Sequence, residues 1–302
     1  MAKEHKLPDK KNDAVKKHPV IRKVLIAAIV LAFLIGVLYA VLFVNNNVSF
    51  ISDEAFAKQI DVAIENALAW TQAHKTEIII RKNVGLMKML NDIDKLKATP
   101  VFSDIVKSHM ASPALPKYWR RLIDPNWPID KLELNMGIKK EYLDNKWVLY
   151  AIAPDIAEIT PEEMHLFEPE RWRGRELVHQ LDALTILRKT KGANEEIDEL
   201  IKHICNRLRV ELTFDALVVD IGKNVLILRA GHPEKIRRRW VERIVAKQSP
   251  DGGWDNRWFC FSSNAEILPD FASRQTNQHD TLLALTVLYL VRYQYPEHFG
   301  LK

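Results

Sequence analysis

The chain of 302 residues has little glycine and almost no cysteine, with ten glycines and two cysteines. Apolar residues make up 47% and charged residues 27%, which together exclude collagen-like, low-complexity and wholly disordered proteins. The two cysteines, Cys205 and Cys260, leave two alternatives open. A bridge between them would restrict the unfolded chain by about 4 kcal/mol, whereas in the other alternative Cys205 is a helix-buried thiol.

The chain has no excess of either charge sign outside its first residues. Residues 1–23 hold eight basic and three acidic side chains, a net charge of +5, which leaves 36 basic and 36 acidic residues beyond them. A neutral body provides no electrostatic field for nucleic acid, so we predict no nucleic-acid partner. The basic tail is instead expected to determine membrane topology.

Residues 24–44 carry no charged side chain, and as a helix these 21 residues would span about 30 Å, one hydrocarbon core. We predict a transmembrane helix that is retained as a signal anchor. The apolar stretch is longer than that of a cleaved signal peptide, and no small-residue cleavage site follows it. The positive-inside rule places residues 1–23 in the cytoplasm and 45–302 outside, with the bilayer as partner of residues 24–44.

The compartment is indicated by the one Asn-x-Ser/Thr sequon in the chain, Asn47-Val48-Ser49. It lies beside the predicted bilayer surface, where a glycan does not fit. This favours a bacterial inner membrane with the main domain facing the periplasm.

Repeated helix-capping signals predict a mainly helical domain over residues 45–302. Ser52 is expected to begin its first helix. Five prolines between residues 100 and 128 indicate an irregular first half over 51–153. The segment 147–153 fits either a buried strand or a short core helix, and its periodicity does not decide between them.

The second half, residues 160–302, is predicted to consist of helical hairpins. Thr160-Pro-Glu-Glu163 is a capping box, Gly192 ends one helix and Asn194 begins the next. Connections of two to five residues over 160–248 favour antiparallel helices packed side by side.

A structural motif follows one of these helices, with the form Gln-x-x-x-Gly-x-Trp. Gly252 and Gly253 allow tight turns with positive φ, Gln248 can bond backbone groups at a helix end, and Trp254 can cover adjoining apolar surface. We therefore expect the motif to join helical hairpins.

This motif resembles the repeat motif of the terpenoid cyclase and protein prenyltransferase superfamily. The resemblance extends from about Glu176 to Tyr295, and it implies an α/α toroid of helical hairpins. An internal echo between 183–187 and 284–288 favours stacking of like units. The 258 residues from 45 to 302 are few for a full six-pair toroid, so the array is expected to be incomplete.

The catalytic elements of that superfamily are missing from this sequence. Asp92-Ile-Asp94 is followed by Lys95, which departs from the Asp-x-Asp-Asp acid of the cyclases. Trp258 stands where the prenyltransferase zinc pair requires an aspartate two positions before Cys260, and no Gly-Cys-Gly-Glu-Gln thioester element occurs. The resemblance therefore predicts a fold without an activity, a cofactor or a metal.

The loop after the motif collects acidic and aromatic side chains suited to a sugar, a cation or a polar ligand. The candidate ligand cleft consists of Asp251, Trp254, Asp255, Trp258, His279 and Asp280. The structural alternative is that the tryptophans seal helix ends while His279 and Asp280 cap the last helix.

Three further patterns could indicate a metal or anion site, but a structural role is favoured for each. Cys260, His279 and an aspartate have the types of ligand that zinc binds, but no close ligand pair marks the site. Glu162 to His165 and Glu176 to His179 have the Glu-x-x-His spacing of di-iron bundles without partner glutamates. Two arginine clusters could bind anionic head groups, although a solvated face balanced by acids is favoured: Arg171, Arg173 and Arg175, and Arg237–Arg239.

Two functions follow from these patterns. The first is a membrane-anchored, non-enzymatic binding or assembly module that recognises a protein or another envelope component. The second is a toroid-fold enzyme acting on a lipid-linked or glycan substrate, with an acid, base or polar anchor among Asp251, Asp255, His279 and Asp280.

Overall fold

The computed structural model describes residues 18–81, 83–158, 168, 175–192, 194–215, 220–255 and 276–301. Every regular element in this part of the chain is a helix, which confirms the mainly helical class. The chain forms two compact units, Met1–Asn45 and Asn46–Lys302.

Most of helix α1, His18–Asn47, belongs to the first unit. Its large apolar side chains between residues 21 and 41 are exposed. Among the described residues it is the one helix long and apolar enough to cross a membrane.

The second unit is built from short and medium helices joined by tight turns. Within the described residues these are α2 (Asp53–Ala73), α3 (Lys75–Ile80), α4 (Val84–Leu96), α5 (Pro100–Met110), α6 (Lys117–Arg120), α7 (Lys131–Lys140), α8 (Leu143–Ile152), α9 (Arg175–Lys191), α10 (Glu195–Phe214), α11 (Ile221–Arg229), α12 (Arg238–Val245) and α13 (Gln278–Tyr289). A π-helical segment, Leu290–Gln294, continues α13, and 3₁₀ turns lie at Pro233–Lys235 and Glu297–Phe299.

Helix ends follow the capping chemistry of the sequence. The Ser52 hydroxyl accepts a hydrogen bond from the Ala55 amide (3.2 Å), and the Asn194 side chain accepts one from the Glu196 amide (2.8 Å). Gly192, just past the end of α9, has a φ of 92°. The capping box at Thr160–Glu163 lies outside the described residues.

The first half of the domain contains α2 to α8 where irregular chain was expected over 51–153. The reason lies in the placement of the prolines. Pro100 occupies the first turn of α5 and Pro116 immediately precedes α6, positions where a missing amide hydrogen costs nothing. Residues 147–152 belong to helix α8, which resolves the choice between a strand and a helix.

The core of the second unit is organised around α13. All side chains from Asp280 to Tyr289 are buried, and α13 packs against α2, α4, α11 and α12. The sequence of this helix has no polar stripe, which is the pattern of a helix enclosed on all sides. The start of α13, which contains the candidate cleft residue Asp280, is therefore part of this core.

One arginine connects the beginning of the second unit to α12. The Arg238 guanidinium donates to the backbone oxygens of Ile51 (2.9 Å) and Ser52 (2.7 Å), and it pairs with Asp53 and with the buried Glu242. It also lies over the Phe56 ring, 4.5 Å from the centroid. A planar fork satisfies these partners together, whereas a lysine ammonium does not.

We expect Arg238→Lys to lower the free energy of unfolding by about 2 kcal/mol, because two backbone acceptors lose their donors beside a buried carboxylate. The measurement is thermal unfolding of the detergent-solubilised chain followed by tryptophan fluorescence, since all eight tryptophans lie in the second unit. Lys202→Arg, at an exposed ion pair with Glu199, is the control. Equal midpoints for both variants would contradict this role of Arg238.

Candidate functional site

The Gln-x-x-x-Gly-x-Trp motif lies between α2 and the start of α13. The Gln248 amide donates to the backbone oxygens of Ala63 (2.8 Å) and Gly252 (2.9 Å), so that one side chain holds both α2 and its own loop. We call residues 248–254, together with Thr276 and Asn277, the clasp.

The two glycines of the clasp are required for different reasons. Gly252 has a φ of 90°, and a Cβ atom there would lie 2.4 Å from the Asn66 backbone oxygen. Gly253 does not have the positive φ that the sequence suggested, but a Cβ atom there would lie 2.7 Å from the Trp70 indole nitrogen. Both positions therefore allow α2 to approach the loop closely.

Trp254 links the clasp to two further helices. Its indole nitrogen donates to the Ile244 backbone oxygen at the end of α12 (2.8 Å), and its backbone amide donates to the Thr281 hydroxyl in α13 (2.9 Å). The side chain is fully buried. The indole thus fills core volume and satisfies a helix-end carbonyl, as a buried tryptophan requires.

Asp251 is engaged within the clasp. Its carboxylate accepts from the Gly253 amide (3.0 Å) and from the Thr276 hydroxyl (2.6 Å). The same hydroxyl accepts from the Trp70 indole of α2 (2.9 Å). This chain of hydrogen bonds connects the loop to α2 through Thr276.

Asp280 forms a reciprocal cap at the start of α13. The Asn277 side-chain oxygen accepts from the Asp280 backbone amide (2.8 Å), and the Asp280 carboxylate accepts from the Asn277 side-chain nitrogen (2.6 Å). The cap residue is therefore Asn277, with Asp280 in the first turn. His279 is exposed, and its Nδ1 lies 3.3 Å from the Asp280 carboxylate.

The described cleft residues are thus brought to one junction, where Asp251 and Trp254 take part in hydrogen bonds that join helices and Asp280 takes part in the cap of α13. Asp255 follows directly and is buried. Trp258 and Cys260 lie outside the described residues. Ligand binding by this set of residues stays a prediction.

The described part of the chain contains only one of the residues of the disulfide alternative, Cys205, because Cys260 lies outside it. Cys205 is a free thiol, and burial raises its pKa to about 12, which makes it unreactive. No group of three His, Cys, Asp or Glu side chains is arranged there to hold a metal ion. Glu176 is exposed and His179 half-buried, while Glu162 and His165 lie outside the described residues.

Of the arginine clusters, Arg238 and Arg239 both pair with Glu242, with nitrogen to oxygen distances of 3.1 and 3.2 Å. Arg171 and Arg173, and the Arg175 side chain, lie outside the described part of the structure. Arg238 and Arg239 therefore share one acidic partner, and the binding of anionic head groups by this cluster stays a prediction.

A buried ionic network was not predicted from the sequence. The Arg229 side chain is 5% exposed and donates to Asp182 (2.7 Å) and Asp92 (3.4 Å), and Lys88 pairs with Asp92. Burial alone would raise the pKa of Asp92, but Lys88 and Arg229 outweigh it and hold that pKa below its usual value. The network joins α4, α9 and α11.

The element closest to a cyclase acid is also engaged structurally. Asp94, two positions after Asp92, accepts from the Thr99 amide (2.7 Å) and the Ser103 hydroxyl (2.6 Å). These bonds hold the start of α5 in place.

In the sequence, the one pattern that indicates part of the ionic network around Arg229 is the spacing of Lys88 and Asp92, which places both on one helix face.

No protein family model, curated protein or solved structure matches this chain. The properties of the junction therefore rest on the geometry of the described residues.

We expect Gly252→Ala to lower the free energy of unfolding by about 3 kcal/mol, because strain at positive φ adds to a clash with the Asn66 backbone. Gly192→Ala is a matched control, since Gly192 has a φ of 92° and a Cβ atom there would meet no other atom within 4 Å. It should cost only about 1 kcal/mol. Equal losses in thermal unfolding would show that the clasp does not need the close approach.

We expect Asp280→Ala to destabilise the domain by about 2 kcal/mol, because the capping side chain of Asn277 loses the acceptor that holds it and α13 loses a favourable charge at its first turn. Asp280→Asn keeps an acceptor for Asn277 and should lose about half as much. Unfolding midpoints of the two variants test this. An unchanged midpoint in Asp280→Ala would contradict this role of Asp280 at the start of α13.

Proposed function

We propose that this chain is a single-pass membrane protein whose second unit is a non-enzymatic binding or assembly module outside the cytoplasm. Residues 24–44 cross the bilayer, residues 1–23 face the cytoplasm, and the helical domain faces the periplasm of a bacterium. The partner is a protein or another component of the envelope.

The observation that carries the proposal is the combination of α1 with its flanks. A helix whose apolar side chains are exposed from residue 21 to 41 needs a hydrophobic solvent, and a bilayer is that solvent. The eight basic residues before residue 24 support the cytoplasmic side for the tail.

The engagement of the candidate acids supports binding over catalysis. Asp251 and Asp280 bond to side chains and backbone amides that hold the loop and α13 in place. A general acid or base must exchange its proton with a substrate, and these carboxylates have their acceptor positions directed to structural donors. We therefore expect a partner to bind to the surface of the domain.

An incomplete α/α-toroid-like array is the arrangement that we propose for the hairpins. Its support is the internal echo, whose two copies lie in the buried helices α9 and α13. In each copy a threonine donates to the backbone oxygen four residues earlier at 2.7 Å, from Thr185 to Leu181 and from Thr286 to Leu282. Both helices pack against α11, as like units in an array would.

Cysteine labelling tests the topology. In a background with Cys205→Ala and Cys260→Ala, we expect Tyr142→Cys to react with a membrane-impermeant maleimide in intact cells, because Tyr142 is 86% exposed. Lys6→Cys should react only after the membrane is permeabilised. The reverse pattern, or labelling of both, would overturn the proposed topology.

Native mass spectrometry of the full chain in nanodiscs tests the function. The module predicts a retained polypeptide, either another protein or a further copy of the chain. A retained small molecule that is lost in Asp255→Asn would instead support the enzyme acting on a lipid-linked or glycan substrate. Asp155→Asn, in the short turn after α8, is the control for the substitution.

A further inference from the structure

The second unit begins at Asn46, only two positions after Val44, the last apolar residue of the proposed span. At about 1.5 Å per residue, Asn46 lies about 3 Å beyond the hydrocarbon core, within the head-group layer. Asn46 donates to the backbone oxygens of Leu212 (2.9 Å) and Thr213 (3.2 Å), and Arg243 donates to Asn46. The end of α10 and part of α12 therefore pack around the first residue of the second unit.

These segments form what we call the juxtamembrane face, made of residues 46–50, 209–215 and 237–243. Large apolar side chains are exposed on it: Val48 (45%), Phe50 (67%), Val210 (56%) and Phe214 (57%). Exposed apolar side chains grouped on one face of a soluble domain mark a binding surface. Phenylalanine in particular anchors surface-bound segments at the boundary of the acyl chains.

Cations accompany these apolar side chains. Residues 209–215 and 237–243 contain five arginines against three carboxylates. The Arg239 guanidinium lies 5.8 Å from the centre of the Phe50 ring, and Arg238 and Arg239 share the buried Glu242, which also accepts from Ser49. The face therefore carries an excess of positive charge next to its exposed phenylalanine.

The arginines are also close enough to repel one another. Burial and the neighbouring Arg209 lower the pKa of Arg237, and burial and the neighbouring Arg239 lower the pKa of Arg243. Asp215 offsets only part of the second effect. An anion placed against the face would relieve this repulsion.

We infer that the juxtamembrane face rests on a bilayer surface that contains anionic phospholipids. Phe50 and Phe214 contact the acyl boundary, and Arg209, Arg237, Arg239 and Arg243 contact the lipid phosphates. The inference rests on the proposed membrane anchoring, which brings the face to the head-group layer. Docking holds the domain against the membrane and presents the opposite side of the domain to a partner.

Spin-label accessibility measures this docking in the full chain. In the background with Cys205→Ala and Cys260→Ala, labels are placed at Val210→Cys on the face and at Val62→Cys, an exposed valine on α2, as a matched control. Nanodiscs are made of phosphatidylcholine alone or with phosphatidylglycerol in equal amounts. The readout is the ratio of collisions with oxygen, which concentrates in the bilayer, to collisions with an aqueous nickel chelate.

In anionic nanodiscs we expect a higher ratio at position 210 than at position 62, with a smaller difference in phosphatidylcholine alone. Arg209→Gln should weaken docking about fivefold in anionic nanodiscs, as one cation near such a surface contributes. Lys202→Gln, which removes a charge from the same helix two turns earlier, should leave docking unchanged. Tryptophan fluorescence confirms that each variant is folded.

Equal ratios at the two positions, with the chain in the nanodisc, would overturn the docking and leave the proposed anchoring intact. Exclusion of both reagents from position 210 regardless of lipid would also overturn it, because a polypeptide would then cover the face. A chain that does not enter nanodiscs would overturn the anchoring and the docking together.

Discussion

The structure of the second unit depends on how its first helix, α2, is held by the last third of the chain. Arg238 bonds the backbone just before α2 and pairs with Asp53, and Gln248 bonds the Ala63 backbone oxygen near the middle of the helix. Further along the chain, Arg292 pairs with Asp61 through two nitrogens, at 2.8 and 3.0 Å. These contacts close the domain between residues 185 to 231 positions apart.

This closure explains why the acidic and aromatic loop residues are grouped. The loop after α12 has to reach α2 and α13 at once, and it does so through two close glycines and a buried tryptophan. Asp251 accepts from the Gly253 amide and the Thr276 hydroxyl of the junction, and Asp280 accepts from the Asn277 side chain that caps α13. Trp254 and the carboxylates of Asp251 and Asp280 thus each have a partner within the junction.

Much of the local structure could be predicted from the sequence. Ser52, Asn194 and Gly192 mark helix ends through short-range bonds, and the uninterrupted apolar sequence of α13 predicts burial on all sides. The grouping of the clasp residues could also be predicted, since they lie between the end of α12 and the start of α13. Local patterns describe what lies within a few residues along the chain.

Long-range partners could not be predicted in the same way. The Arg229 to Asp182 bond joins residues 47 positions apart, and no spacing rule links them. The partners of Asp251 and Asp280 were missed because Thr276 and Asn277 have no distinctive pattern. The juxtamembrane face likewise depends on Asn46 meeting the end of α10, across 166 positions. The excess of arginines over carboxylates on this face is counted only when residues 209–215 and 237–243 are taken together.

We expect α2 and α13 to form one cooperative unit through the clasp. Amide hydrogen exchange of the full chain in nanodiscs tests it directly, since residues that open together exchange with a common free energy. The buried amides of α2 and α13 should be the most protected of the domain and share one opening free energy. Exchange of α2 at a much lower free energy than α13 would contradict it.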